Sequence, residues 1–233
     1  MIAQLNGPLT ESMEGRFAAL DPHQLIQWAA SEFAGELAVS TSFGIQSAVT
    51  LHLVTSILPD VPVIWVDTGY LPEETYAYGE QLRQALGLNL HTYRAHLSPE
   101  AMEAKHGKLW QSTHIEDLNL YDRLRKVEPM QRAIQTLGVR GWISGLRAEQ
   151  TEFRKRLPPI KRTDQHYRIY PILEWSSRDI YQYMEDHGLP QHPLFYQGYT
   201  TVGDAHSSRP VQADENDRDT RFHGLKQECG LHL

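Results

Sequence analysis

Short, nearly uninterrupted apolar runs punctuate this chain at regular intervals. They occupy 36–40, 62–67, 88–94, 140–145 and 166–172. Runs of that length, bounded by turn residues, predict buried strands. Longer stretches with helix signals lie between them. Residues 10–34 read as two helices: Thr10 is placed to cap the first, and Asp21 the second, with Pro22 at its first helical position. The apolar stretch up to Leu58 predicts a third, and Pro72-Glu73-Glu74 opens a fourth that runs to about Leu86. Residues 119–138 are helical in pattern, with a break or a fresh start expected at Pro129. Ser176-Ser177 starts the last helix, which Gly188 and Pro190 end. No element is assigned to the polar stretch 97–117, and beyond Pro193 the pattern dissolves into a polar tail.

Strands alternating with helices predict an α/β fold, a mainly parallel sheet with helices on both faces. Ligands of such sheets sit at the carboxyl ends of the strands. The turns after Ser40, Asp67 and Gly145 are therefore expected to share one rim. The predicted organisation is an α/β domain over 1–198, N-terminal helices included, followed by a tail over 199–233.

Bulk properties narrow the function. A length of 233 residues, 40% hydrophobic and 22% charged, suits a globular chain with a real core. The net charge of −7 argues against a broad nucleic-acid surface. No apolar run reaches the roughly 20 residues that span a bilayer, and Met1–Thr10 lacks the basic flank and apolar stretch of a signal peptide. The expected address is the cytoplasm, with no membrane partner. The single cysteine, Cys229, rules out an intrachain disulfide and any multi-cysteine zinc or iron–sulfur site within one chain.

The segment Ser40-Thr41-Ser42-Phe43-Gly44-Ile45-Gln46-Ser47 joins the first strand to a helix. Amides at a helix start and short hydroxyls bind phosphate or sulfate oxygens, and Gly44 permits close approach or a positive φ. Taken alone, a Ser-rich βα turn is as readily structural. The order of residues, however, resembles the SGGxDS loop of the ATP pyrophosphatase superfamily, with Phe43 at its second Gly and Gln46 at its Asp. It is more similar to the Ser-x-Ser-Phe-Gly loop of the adenylyl-sulfate and phosphoadenylyl-sulfate reductases. Val66-Asp67-Thr68-Gly69, Lys126-Val127-Glu128-Pro129, Gly145-Leu146-Arg147-x-Glu149-Gln150, Arg218-Asp-Thr-Arg221 and the terminal Glu228-Cys229-Gly230-Leu231-His232 match the same family. The resemblance runs from about residue 36 to the end of the chain.

That resemblance implies an adenine nucleotide α-hydrolase-like (PP-loop) fold and a thiol chemistry. Cys229 would attack the sulfur of a phosphosulfate anhydride and be left as an S-sulfonate. The chain offers no second cysteine, so an external dithiol must release sulfite; the family implies reduced thioredoxin, or glutaredoxin, and no bound cofactor. Ser40, Ser42 and Gly44 would cradle phosphate or sulfate, and Asp67 would lie near the nucleotide. Lys126, Arg147, Arg218 and Arg221 would neutralise the anion, a task that suits the permanent charge of Arg. His232 would orient the cysteine or contact the substrate. Singly, each of these cations reads as a solvated surface charge. Glu228 works against thiolate formation at Cys229, while Lys226, His232, Arg218 and Arg221 work for it. The remaining histidines singled out, 106, 114, 166, 187, 192, 206 and 223, show no ligand-like spacing and are assigned to loops or the surface.

One branch of the family holds a four-iron cluster through a Cys-Cys and a Cys-x-x-Cys pair and prefers adenylyl sulfate. Aligned on Lys126, the first pair falls on Tyr121-Asp122; aligned on Arg209-Pro210, the second falls on Asp204 and Ser207. None is cysteine, so the chain resembles the cluster-free branch, whose substrate is 3′-phosphoadenylyl sulfate. The resemblance also implies a homodimer, and the tail is expected to act as a lid. Three other readings stand beside it: an adenylyl-sulfate reductase without a cluster, a PP-loop nucleotidyl transferase or ATP pyrophosphatase, and a nucleotide-binding regulatory protein with a degenerate site.

Overall fold

The computed structural model describes residues 11–212 together with 220, 225, 226, 228, 230 and 231, with side chains from residue 15 onward. Two helices lead in, α1 (Glu11–Ala18) and α2 (Pro22–Glu32). Asp21 caps α2: its carboxylate accepts from the Gln24 amide while the Gln24 side chain accepts from the Asp21 amide, both at the first turn. There follow β1 (Leu37–Thr41), α3 (Ser47–Thr55), β2 (Pro62–Asp67), α4 (Glu73–Ala85), β3 (Asn89–Arg94), α5 (Pro99–His106), α6 (Ile115–Asp122), α7 (Glu128–Thr136), β4 (Gly141–Ile143), β5 (Ile160–Arg162), β6 (Tyr167–Ile169) and α8 (Ser177–Asp186).

The six strands form one sheet in the order β3-β2-β1-β4-β6-β5. All neighbours run parallel except β5, which pairs antiparallel with β6 at the edge. Because side chains alternate across a pleat, each strand serves two cores. Leu37, Val39, Val63, Trp65 and Ile143 face a large cluster with Ile26 of α2, Leu51 of α3, Leu82 of α4 and Ile180 of α8. Ala38, Ile64 and Trp142 point the other way, against Met130, Ala133 and Ile134 of α7. Helices thus cover both faces, as the alternation of elements predicts. Ser176 caps α8 with a reciprocal bond to Asp179, at the place the sequence indicates.

The structure adds to or departs from these expectations at several places. The polar stretch 97–117 is not without structure: Ser98 caps α5, and Met102, Leu109 and Leu118 bury a small satellite cluster with Tyr121. Its apolar residues are too widely spaced to announce a helix. Pro129 marks a fresh start rather than a break: it lies in the first turn of α7. Residues 123–127 form a π-turn between α6 and α7, and the Glu128 amide reaches back to the Arg123 carbonyl; the wider turn absorbs a residue that has no N–H. Strand β5 went unread because it is three residues long and half polar. Finally, His166 and His192 lie in loops, as assigned, but are buried there. His192 Nδ1 accepts from the Leu194 amide and its Nε2 meets Thr75 Oγ1 at 3.1 Å.

Phe43 shows how the fold shapes the loop after β1. It is the one described non-glycine residue with positive φ, at 48°. Its fully buried ring packs edge-on against Trp65, and a Cβ built on Gly79 of α4 would lie 2.9 Å from it. The ring therefore anchors a backbone conformation that costs on the order of 1–3 kcal/mol. Gly79→Ala is expected to push the ring and lower unfolding free energy by about 1–3 kcal/mol, measured by urea titration. Unchanged stability would mean the ring is not confined there.

Burial pushes the pKa of His166 and His192 down to about 4, helped at His166 by Arg168. Both are neutral in the folded chain and take up protons on unfolding below their ordinary value of 6.5. Their stabilising contribution is complete above pH 6.5 and is lost as pH falls toward 4, at about 1.4 kcal/mol per pH unit for each. Stability measured across that window should fall less steeply in His192→Asn than in the parent chain; identical slopes would contradict the assignment.

Candidate functional site

The strand order reverses at β1, which has β2 on one side and β4 on the other. Chain connections leaving adjacent strands diverge at such a point and open a crevice. A cavity of about 240 Å³ lies there, at the carboxyl ends of β1, β2 and β4. The turns after Ser40, Asp67 and Gly145 do share its rim. Ser40, Ser42, Gly44, Lys126 and Arg147 all line it, joined by Thr68, Ser144, Gly145, Arg154, the segment 200–204 and Leu231.

The loop after β1 forms one wall. Ser40 Oγ accepts from the indole N–H of Trp142 at 2.8 Å, which orients the strand end. The Phe43 amide donates to Thr41 Oγ1 at 3.0 Å, and Ser47 Oγ donates to the Gly44 carbonyl at 2.8 Å. A Cβ on Gly44 would sit 3.4 Å from both Ser42 Oγ and the Val202 carbonyl, so the loop closes tightly on the segment opposite. The first turn of α3 faces the cavity through Gln46, Ser47 and Thr50, and the positive end of its dipole favours an anion there.

Arg147 is buried at the end of β4. Its guanidinium donates to Gln46 Oε1 at 2.6 Å and to Ser177 Oγ and the Trp175 carbonyl at 3.3 Å each, and it pairs with Glu149. Burial opposes ionisation of Glu149, yet hydrogen bonds from Ser177 and Arg147 outweigh it and hold the carboxyl below its ordinary value. Gly145 is required beneath: a Cβ there would lie 2.3 Å from Thr50 Oγ1.

Lys126 projects from the π-turn, a feature frequent at functional sites. Its ammonium lies 3.0 Å from Asp122 Oδ1 and 2.9 Å from Asp204 Oδ2. Asp204 also accepts from Thr68 Oγ1. Of the positions aligned with the family's cluster cysteines, Tyr121, Asp122 and Asp204 therefore do come together, around an ammonium group. Tyr121 is raised in pKa by burial and by Asp204, and its hydroxyl meets His206 Nε2 at 3.0 Å.

Asp67 lies apart from this group. Its carboxylate accepts from the Gly69 amide at 2.9 Å, the Tyr76 hydroxyl at 2.7 Å and Arg94 Nε at 2.7 Å, and it does not line the cavity. It shapes the turn, and Thr68 beside it faces inward. Buried Arg125 braces that turn from behind, donating to the Thr68 carbonyl at 2.8 Å and the Leu97 carbonyl at 2.6 Å.

Parts of the C-terminal segment reach the same wall. The buried Glu228 carboxylate takes both Arg154 Nε and Nη2 at 2.8 Å, and Thr151 Oγ1 at 2.7 Å. Such a forked charge-assisted pair fixes geometry as well as charge. Gly230 lies against Val127 and Asp122, and Leu231 packs with the α7 cluster. Arg218, Arg221, Cys229 and His232 lie outside the described residues. Sequence reasoning missed Arg154, which is one cation in a run of several (154–156), and missed Thr68 and Asp204, whose partners are distant in the chain. Glu228 had been read only as a neighbour of the cysteine.

Comparison with known proteins agrees with this geometry. Residues 36–210 match the family described as phosphoadenosine phosphosulfate reductase domain. A Synechococcus protein named phosphoadenosine 5′-phosphosulfate reductase is 59% identical over 211 residues, covering 90% of this chain and 91% of its own. One of the same name from Serratia proteamaculans is 47% identical over 220 residues, 94% of this chain and 90% of its own. Among solved structures, a phosphoadenylyl-sulfate reductase from Candida auris in a phosphate complex superposes with a TM-score of 0.73 at 27% identity, covering 87% of this chain and 99% of that one. A Candida glabrata FMN adenylyltransferase shares the fold at 17% identity, with a TM-score of 0.63 over 91% of this chain and 72% of that one.

Arg154→Gln should remove the forked ion pair from the Glu228 carboxylate and loosen that part of the chain. Trypsin is expected to cut after Lys226 at least about tenfold faster in the variant, with thermal unfolding of the α/β core nearly unchanged. Equal cleavage rates would show that the ion pair does not hold the segment.

Proposed function

Because the chain belongs to the phosphoadenosine phosphosulfate reductase family, we propose that it converts 3′-phosphoadenylyl sulfate to sulfite and adenosine 3′,5′-bisphosphate through a Cys229 S-sulfonate resolved by thioredoxin. The Cys229 thiolate forms a bond to the sulfate sulfur as the bond from that sulfur to the bridging phosphate oxygen breaks. The electron pair leaves with the nucleotide phosphate. One thiol of reduced thioredoxin then attacks the Cys229 sulfur and expels sulfite. Its second thiol closes the thioredoxin disulfide and returns Cys229 to the reduced form. Two electrons pass from the dithiol to sulfur, and no resident cofactor is needed.

One observation carries this reading. The anion-suited loop, Arg147 and Lys126 line one cavity; of the cysteine motif, Leu231 lines it too and Glu228 is bonded to its Arg154. Ser42, Gly44 and the start of α3 would hold phosphate or sulfate oxygens. Arg147 and Lys126 would neutralise the departing phosphate, whose charge grows as the bond breaks. Arg218, Arg221 and His232 complete the set in this reading, and the enzyme acts as a cytoplasmic homodimer. Gln46 donates no carboxylate where the ATP pyrophosphatases have Asp, and it is engaged by Arg147. That disfavours nucleotidyl transfer. Glutaredoxin is the alternative reductant.

The test is mass spectrometry of protein mixed with 3′-phosphoadenylyl sulfate before any reductant is added. The expected result is a gain of one SO3 group on Cys229, discharged as sulfite when reduced thioredoxin follows. Cys229→Ser should abolish the adduct while adenosine 3′,5′-bisphosphate affinity changes less than about threefold. Turnover without an adduct, or an adduct on another residue, overturns the mechanism. Arg147→Lys keeps the charge but loses the planar fork and should lower kcat/KM by on the order of a hundredfold, read by steady-state kinetics.

A further inference from the structure

Asp122 is shared by two lysines from distant parts of the chain. Its Oδ1 lies 3.0 Å from Lys126 Nζ at the cavity, and its Oδ2 lies 2.5 Å from Lys226 Nζ in the C-terminal segment. All three side chains are at least nine-tenths buried. Lys226 is fixed further by Asn119 Oδ1 at 2.8 Å, one turn earlier on α6. Gly230 packs beside Asp122 and Val127, so the same turn receives the chain on both sides of residue 229. The contact shares no residue with the Arg154–Glu228 pair.

A buried carboxylate between two ammonium groups divides its attraction between them. An anion entering the cavity draws Lys126 toward itself and leaves more of the Asp122 charge to Lys226. Filling the cavity then tightens the hold on the C-terminal segment, and by linkage a held segment favours the anion. We propose that Asp122 is a positioning residue that couples anion binding at Lys126 to docking of the C-terminal segment through Lys226. This inference rests on the proposed function, since it is the cysteine between residues 228 and 230 that such docking would present to the substrate.

Two measurements separate the inference from that function. The first is the single-turnover rate of S-sulfonation at saturating 3′-phosphoadenylyl sulfate. Asp122→Asn and Lys226→Gln should each slow it about tenfold or more, Lys226→Arg should restore most of the rate, and the double variant should be no slower than the slower single. Effects of the two singles that multiply, or a parental rate in Lys226→Gln, overturn the coupling. The second is hydrogen exchange of the backbone amides of 226–231 with and without adenosine 3′,5′-bisphosphate. The nucleotide should slow exchange in the parent chain and in Lys226→Arg, and have no effect in Lys226→Gln. Because Lys226 belongs to no helix or strand, its variants test the idea even where Asp122→Asn fails to fold. A parent chain that forms no adduct yet shows nucleotide-dependent protection refutes the proposed chemistry and leaves the coupling standing. Nucleotide-dependent protection that persists in Lys226→Gln refutes the coupling.

Discussion

Parallel pairing of β1 with both β2 and β4 forces the connections beyond those strands to part. The loop after β1 and the turn after β4 lead into different elements, and nothing in the sheet fills the gap between them. Everything that lines the cavity is there because of that divergence. The small residues of 42–47 sit where a helix begins, Arg147 sits where a strand ends, and the π-turn carrying Lys126 reaches in from the face covered by α7. A parallel sheet with both faces covered leaves its polar chemistry to the strand ends, and the buried apolar residues of β1, β2 and β4 direct it there.

The cations at this crevice belong to a protein of net charge −7, and each holds a carboxylate of its own. Arg147 has Glu149, Lys126 has Asp122 and Asp204, and Arg154 has Glu228. Buried pairs of this kind contribute little net stability, because desolvation offsets their attraction. They do keep positive charge in place at the crevice. Recognition of an anion then proceeds by exchange of partners, with the resident carboxylates and the incoming oxygens competing for the same N–H groups. Such exchange favours ligands that present several oxygens at once over those that present one.

The strands and the two capped helices were legible because their signals are local. Asp21-Pro22 and Ser176-Ser177 announce helix starts whatever the rest of the chain does, and the apolar run at 62–67 allows little but a buried strand. The rim was legible for the same reason, since the three turns follow directly from the strand ends. What could not be read depends on contacts between distant residues. Asp67 and Thr68 are adjacent in sequence, and only the Tyr76 and Arg94 partners of Asp67 decide which of the two turns away from the cavity. Arg154 looks like either of its basic neighbours until Glu228 meets it. Asp122 and Asp204 drew notice only as positions without cysteine, and their pairing with Lys126 needs the π-turn that Pro129 concealed.

Where β4 ends, Gly145 and Thr50 of α3 are in contact so close that no side chain fits between them. The floor of the crevice is therefore a matched pair, and a side chain at Gly145 requires a smaller residue at Thr50. Divergence of ligand preference among chains of this architecture falls more readily on the walls, which carry the side chains of 200–204 and the π-turn. A floor common to the architecture and variable walls explain how one crevice geometry can persist while the molecules it accepts differ.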